Sequence, residues 1–222
     1  MIEAKSPTAS IRRAYNLWSL WYGRLAVPLE RRPRMLAVDR LAIQPQDRVL
    51  EVAVGPGATL LEVLRRVDRA SVVSGVDLSP KMLEKARRLV QSAGYTNVDL
   101  READARQLPF PGAAFDVLFN SYMFDLLPLE DMPIVLGEFR RVLRAGGRLA
   151  LVNMSKREAA VRTWSERFYT WLPGRLVPYL MGGCRPVLME DLVRGSGFSE
   201  VRREFIDQFI PSEIITATKA DA

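Results

Sequence analysis

The chain has 222 residues, 48% of them hydrophobic, enough for one substantial core and a small appendage but not for two full domains. A single cysteine, Cys184, excludes an internal disulfide and fits a reducing, cytoplasmic setting, and the absence of histidine removes the commonest general base and metal ligand. The 32 basic residues outnumber 26 acidic ones to leave a net charge of +6, while MIEAKSPTASIRR lacks a signal-peptide core and no stretch supplies the ~20 uninterrupted apolar residues of a spanning helix.

Residues 8–30 read as a helix and 34–42 as a shorter one after Pro33. The first carries Tyr15, Trp18, Trp21 and Tyr22 and is followed by a dense basic group, Arg24, Arg31, Arg32 and Arg34. Such a segment reads two ways: as a solvated helix covering the domain, or as an amphipathic element in peripheral contact with an anionic membrane. Next come strand 48–53, helix 57–67, strand 72–77, helix 80–93 with a glycine stop at Gly94, strands 97–102 and 115–120, helix 130–143 and strand 147–153. Short apolar runs such as DVLFN and RLALVN fit strands covered on both faces, so the alternation predicts an α/β fold built on a mostly parallel sheet. After Ser155 the rhythm changes to an insertion rich in Trp164, Phe168, Tyr169, Trp171, Tyr179 and Met181, then helix 187–196 and strands 200–206 and 212–218.

The segment Val49–Thr59, VLEVAVGPGAT, is an apolar run with one acid, Glu51, that breaks into a loop holding Gly55 and Gly57. A second run, Val72–Val76, ends in Asp77. Strand, glycine turn, helix and a strand ending in a carboxylate make up a nucleotide-binding βαβ unit, in which the acid accepts hydrogen bonds from two ribose hydroxyls. Asp77 is also placed to cap the helix opening at Ser79-Pro80, so the pattern rests on the order and spacing of both features. It points to an adenosine-containing cofactor.

These motifs, in order, resemble the class I S-adenosylmethionine-dependent methyltransferases, most closely the branch of ubiquinone/menaquinone methyltransferases and bacterial phosphatidylethanolamine N-methyltransferases. The resemblance spans about residues 10–219 and runs through EVAVGPG, GVDLSPKML, EADARQLPFPGAAFDVLFNSYMFDLLP, FRRVLRAGGRLALVN, RPVLMEDLVRGSGF and PSEIITATK. It implies a Rossmann-like seven-stranded, mostly parallel sheet with helices on both faces. The 222 residues then form one domain: an N-terminal helical lid (1–45), a cofactor-binding core (46–155), and an acceptor-side insertion with C-terminal strands (156–222).

The resemblance further implies that Glu51, Ala53, Gly55 and Gly57 surround the methionine part of S-adenosylmethionine and that Asp77 binds the ribose. Leu78 and Met82 would lie against the adenine, Asp104 and the Ala105 N–H would meet its edge, and the Asn120 backbone would face the sulfonium. Tyr15 and Tyr22 are candidate lid contacts. One departure stands out: Ala53 replaces the usual first glycine of the loop, which is harmless at negative φ and strained above zero.

Methyl transfer needs alignment in a dry pocket more than acid-base chemistry, and Tyr122 and Asp125 are the candidate catalytic groups. An amine acceptor needs the least help, which favours N-methylation of a small or lipid-like acceptor such as a phospholipid headgroup, with a quinone precursor or another C- or O-methylated small molecule as the alternative. A nicotinamide-dependent reductase is disfavoured because Leu60 stands where its third glycine belongs. A silent cofactor-binding or membrane-associated module is a third class. Neither nucleic acid nor metal is expected as a partner, since NSYMFD lacks the NPPY-type sequence of base methylation and histidine is absent.

Overall fold

The computed structural model describes residues 1–4, 22–158, 160, 163–174, 176–177 and 183–220. Seven strands form one sheet in the order β3-β2-β1-β4-β5-β7-β6. In chain order the elements are α1 (Tyr22–Arg40), β1 (Val49–Val52), α2 (Ala58–Leu64), β2 (Val73–Asp77), α3 (Pro80–Ser92), β3 (Val98–Glu102), β4 (Phe115–Ser121) and α4 (Asp131–Val142). They continue with β5 (Leu143–Met154), α5 (Trp164–Trp171), α6 (Glu190–Gly195), β6 (Phe198–Ile206) and β7 (Ser212–Lys219). All pairings from β3 through β5 are parallel, and β7 runs antiparallel between β5 and β6.

All four residues of β1 are buried, as a central parallel strand with both faces covered requires. Alternation along β5 divides the core: Leu149 and Leu151 pack with Met132, Leu136 and Phe139 of α4 and Val193 of α6, whereas Ala150 and Val152 face Ala37 and Val38 of α1 and Leu60 and Val63 of α2. The molecule is therefore helix, sheet, helix in three layers. Helix α3 starts at Pro80, with the Ser79 hydroxyl accepting from the Met82 N–H at 3.3 Å.

Two expectations change. The N-terminal helix is not interrupted at Pro33 but runs through it to Arg40. A proline at 33 has no N–H for the Leu29 carbonyl, and that carbonyl accepts instead from Gln208 Nε2 at 3.3 Å. Strand β5 begins at Leu143, not near 147, because the register shifts between Phe115↔Leu143 and Val117↔Arg148 and the segment with Gly146, at φ 67°, is absorbed as a bulge.

Helix α5 docks through a buried ion pair, Lys156 Nζ to Glu166 Oε1 at 2.9 Å, and Glu166 also closes a capping box with Thr163. Arg185 is fully buried and fastens two segments through three carbonyls: its Nε donates to that of Ile2 at 2.7 Å, Nη1 to that of Asp125 at 3.0 Å and Nη2 to that of Leu127 at 2.6 Å. No described helix is long and apolar enough to cross a membrane.

Candidate active site

A cleft opens at the carboxyl ends of β1, β2 and β4, where β1 gives way to the loop 53–57 and β4 to the loop 122–127. Ligands occupy this end of open α/β sheets because the strand order reverses there. The floor is made by Glu51 to Pro56, one side by Val76 to Ser79 and Met82, another by Ala103 to Arg106, and a third by Ser121 to Met123, Leu126 and Leu127.

Asp77 organises the floor. Its Oδ2 accepts from the Gly55 N–H at 2.9 Å and its Oδ1 from the Ser79 N–H at 2.8 Å, leaving the remaining lone pairs for a ligand's hydroxyl pair. Burial pushes the Asp77 carboxyl up to about 6, against the pull of those two N–H groups. Glu51 is buried and its Oε2 has no hydrogen-bond partner among the described residues; burial pushes this carboxyl up to about 8 despite the opposing field of Arg34. Glu51 is therefore mostly protonated at neutral pH.

Gly55 and Gly57 both have left-handed backbones, φ 54° and 88°, for different reasons. A Cβ on Gly55 would meet nothing within 4 Å, whereas one on Gly57 would lie 2.9 Å from Ala86 Cα of α3. Ala53 also takes a left-handed conformation, φ 59°, so the alanine is strained rather than harmless; for an L residue this costs ~1–2 kcal/mol. Tyr122 is strained in the same sense, φ 52°, and faces the same cleft. Strained backbone concentrates at functional sites, where the surrounding fold enforces it.

Past β4, Tyr122 lines the cleft; its hydroxyl hydrogen-bonds Ser212 at 2.9 Å, and burial pushes the phenol well above its usual range. Asp125 is fully buried and lies outside the cleft wall: its Oδ2 accepts from the Met154 N–H at 3.1 Å, and burial pushes it up to about 7. The Asn120 side chain is turned inward, its Nδ2 donating to the Val52 carbonyl at 2.9 Å, which leaves the expectation for its backbone untouched, and Ser121 and Tyr122 follow it in the cleft wall. Leu78, Met82, Asp104 and Ala105 do line the cleft. Asp104 is gripped by Arg106, Nη2 to Oδ2 at 2.6 Å, and the same guanidinium reaches Asp131 at 3.1 Å, which holds the Asp104 carboxyl below the usual range.

Arg34, read in the sequence as part of a basic surface, is buried in the cleft wall, paired with Glu30 at 2.5 Å and lying over the Tyr122 ring at 5.2 Å. The signal for this was the i, i+4 spacing of Glu30 and Arg34. Tyr15, Trp18, Trp21, Tyr179 and Met181 lie outside the described residues, as do the side chains of Tyr22, Arg24 and Trp164. Of the other insertion aromatics, Tyr169 is buried in a small core with Leu172 and Val177, and Phe168 and Trp171 are exposed; none lines the cleft.

Comparison with known proteins agrees with this geometry. A family model described as a methyltransferase domain matches residues 49–147. The chain is 33% identical over 167 residues to the phosphatidylethanolamine N-methyltransferase of Cereibacter sphaeroides, covering 72% of this chain and 77% of that one. It is 29% identical over 220 residues to the aklanonic acid methyltransferase DauC of Streptomyces sp. strain C5, covering 91% and 97% respectively. A solved SAM-dependent methyltransferase from Aquifex aeolicus, 19% identical, shares the fold with a TM-score of 0.62 over 85% of this chain and 90% of that one. The protein belongs to the class I S-adenosylmethionine-dependent methyltransferases. Glu51 Oε2, with no partner among the described residues, the spare acceptor capacity of Asp77 and the apolar side chains of Leu78 and Met82 fit S-adenosylmethionine.

Proposed function

We propose that the enzyme methylates the uncharged amine of an apolar, lipid-like acceptor, as N-methylation of a phospholipid headgroup requires. The observation that carries this reading is the acceptor wall: Met123, Leu126 and Leu127 are apolar, Tyr122 is locked protonated, and Asp125 faces away. A phenol or ring carbon needs its proton removed as the new bond forms, whereas an amine attacks first and loses its proton afterwards. Bound S-adenosylmethionine supplies an electrophilic methyl on a positively charged sulfur. In this reading Asp77 holds the ribose hydroxyls, Leu78 and Met82 cover the adenine, and Asp104 and the Ala105 N–H meet the adenine edge. The loop of Ala53, Gly55 and Gly57, with Glu51 beneath it, takes the methionine part, and Ser121 and Tyr122 border the reacting end.

The same wall serves a carboxylic acid, already anionic at neutral pH and in need of no base. This second reading gains weight from the nearly full-length match to an aklanonic acid methyltransferase. The test is transfer of labelled methyl to phosphatidylethanolamine vesicles or to a carboxylic-acid extract. Alkali-stable label in the lipid supports the amine reading, and alkali-labile label confined to the extract overturns it in favour of the ester.

A further inference from the structure

Among the described residues, eight large apolar side chains are well exposed, and five of them, Met1, Leu29, Phe168, Trp171 and Phe209, lie at one end of the molecule. Trp171 is 77% exposed and Phe209 83%. The topology puts them there. Met154, the last residue of β5, pairs with Ser212, the first of β7, which pairs with Ile206, the last of β6. The turn carrying Phe209 therefore stands at the carboxyl end of the parallel sheet, the end where the cleft opens. Gln208 of this turn bonds the Leu29 carbonyl of α1. Helix α5, with Phe168 and Trp171 stacked at 6.0 Å between centroids, is fixed to the same end by Lys156, two residues past β5. Met1 joins them because Arg185 pins the Ile2 carbonyl beside the loop after β4.

Exposed arginines accompany this rim: Arg31 and Arg32 follow Leu29, and Arg167 precedes Phe168. Of the carboxylates nearby, Asp207 is paired with Arg157 at 2.9 Å and Glu158 is exposed. Scattered single apolar side chains need no explanation, but aromatic residues on a turn and a helix, edged by arginine around the mouth of a site, match the interfacial layer of a bilayer. We propose that this rim docks on an anionic lipid surface, with Phe209 and Trp171 entering the interface and Arg31, Arg32 and Arg167 meeting lipid phosphates. The inference deepens the lipid-like acceptor reading, because the docked cleft faces the layer from which such an acceptor comes.

The test is flotation of the full chain with vesicles of phosphatidylglycerol and phosphatidylcholine, and with phosphatidylcholine alone, in the absence of phosphatidylethanolamine and S-adenosylmethionine. The protein should float with the anionic vesicles and not the neutral ones, and added salt should release it. The double variant Trp171→Ser/Phe209→Ser should bind at least ~10-fold more weakly, with S-adenosylmethionine affinity by calorimetry and Tm unchanged. Failure of the protein to float, or equal flotation of the variant, overturns the proposal. So does a concentration-dependent dimer in sedimentation velocity that the variant abolishes, which would make the rim an interface between copies. Vesicles without an acceptor amine read docking alone, so a failed methyl-transfer assay leaves this result standing, and the reverse holds.

Discussion

Alanine at Gly55 and alanine at Gly57 are the same chemical change two residues apart, and the structure gives them opposite signatures. At Gly55 the added methyl meets open space in the cleft, so the stability cost is the left-handed backbone alone. That penalty is ~1–2 kcal/mol, offset by ~0.4–1 kcal/mol from the stiffer unfolded chain, a net loss of about 1 kcal/mol. For a domain of this length that is a fall in Tm of ~2–4 °C. At Gly57 the φ of 88° adds the same backbone term, and a contact of 2.9 Å to Ala86 Cα demands movement of α2 against α3. Overpacking of this kind adds ~1–3 kcal/mol, giving a total of about 3 kcal/mol and a Tm drop of ~6–12 °C. Ligand affinity should order the pair the other way per unit of stability lost, because Gly55 lines the cleft and Gly57 does not. Differential scanning calorimetry and titration calorimetry with S-adenosylmethionine measure both quantities. Equal Tm losses, or a Gly55→Ala protein that binds as tightly as the wild type, would refute the assignment of one glycine to the cleft and the other to helix packing.

Three further outcomes follow from the site. For Glu51, whose carboxyl is raised from 4.5 to about 8, the folded state keeps a proton that the unfolded chain releases, so rising pH between those values costs stability. The Tm of Glu51→Gln relative to wild type should therefore climb from pH 5 to pH 8 and level off above, and a pH-independent difference would show the raised value to be wrong. Asp77→Asn leaves one of the Gly55 and Ser79 N–H groups facing an amide NH2, and loss of a charged hydrogen bond of ~1.5–3 kcal/mol should weaken S-adenosylmethionine binding at least ~10-fold; a change under twofold by calorimetry would sink its role. Arg185→Lys cannot reach three carbonyls from one ammonium, so hydrogen exchange at residues 126–129 should accelerate while cofactor affinity stays within about twofold; unchanged protection would count against the fastening.

The floor of the cleft was legible because strand periodicity, glycine placement and a terminal acid are all local features, and they put Gly55 and Asp77 in contact. The wall after β4 was not, because side-chain direction there depends on neighbours remote in sequence. Asp125 is drawn inward by the Met154 N–H and Tyr122 by Ser212, partners 29 and 90 residues away. Ala53 gives no local sign of a left-handed backbone, since alanine favours that conformation nowhere. Pro33 misled for a related reason: the lost hydrogen bond is made good by Gln208, on the far side of the chain.

The Arg185 contacts also order the events of assembly. The guanidinium joins Ile2 to a residue 183 positions later, so the segment around Ile2 has no place to settle until the segment around Arg185 is present. Contacts of such long range form late, after the loop-closure entropy has been overcome by the sheet itself. The sheet from β3 to β5, closed by pairings within residues 49–152, can be complete while the segment around Ile2 still waits. A chain cut before Arg185 would then present that part of the sheet with the loop after β4 unfastened.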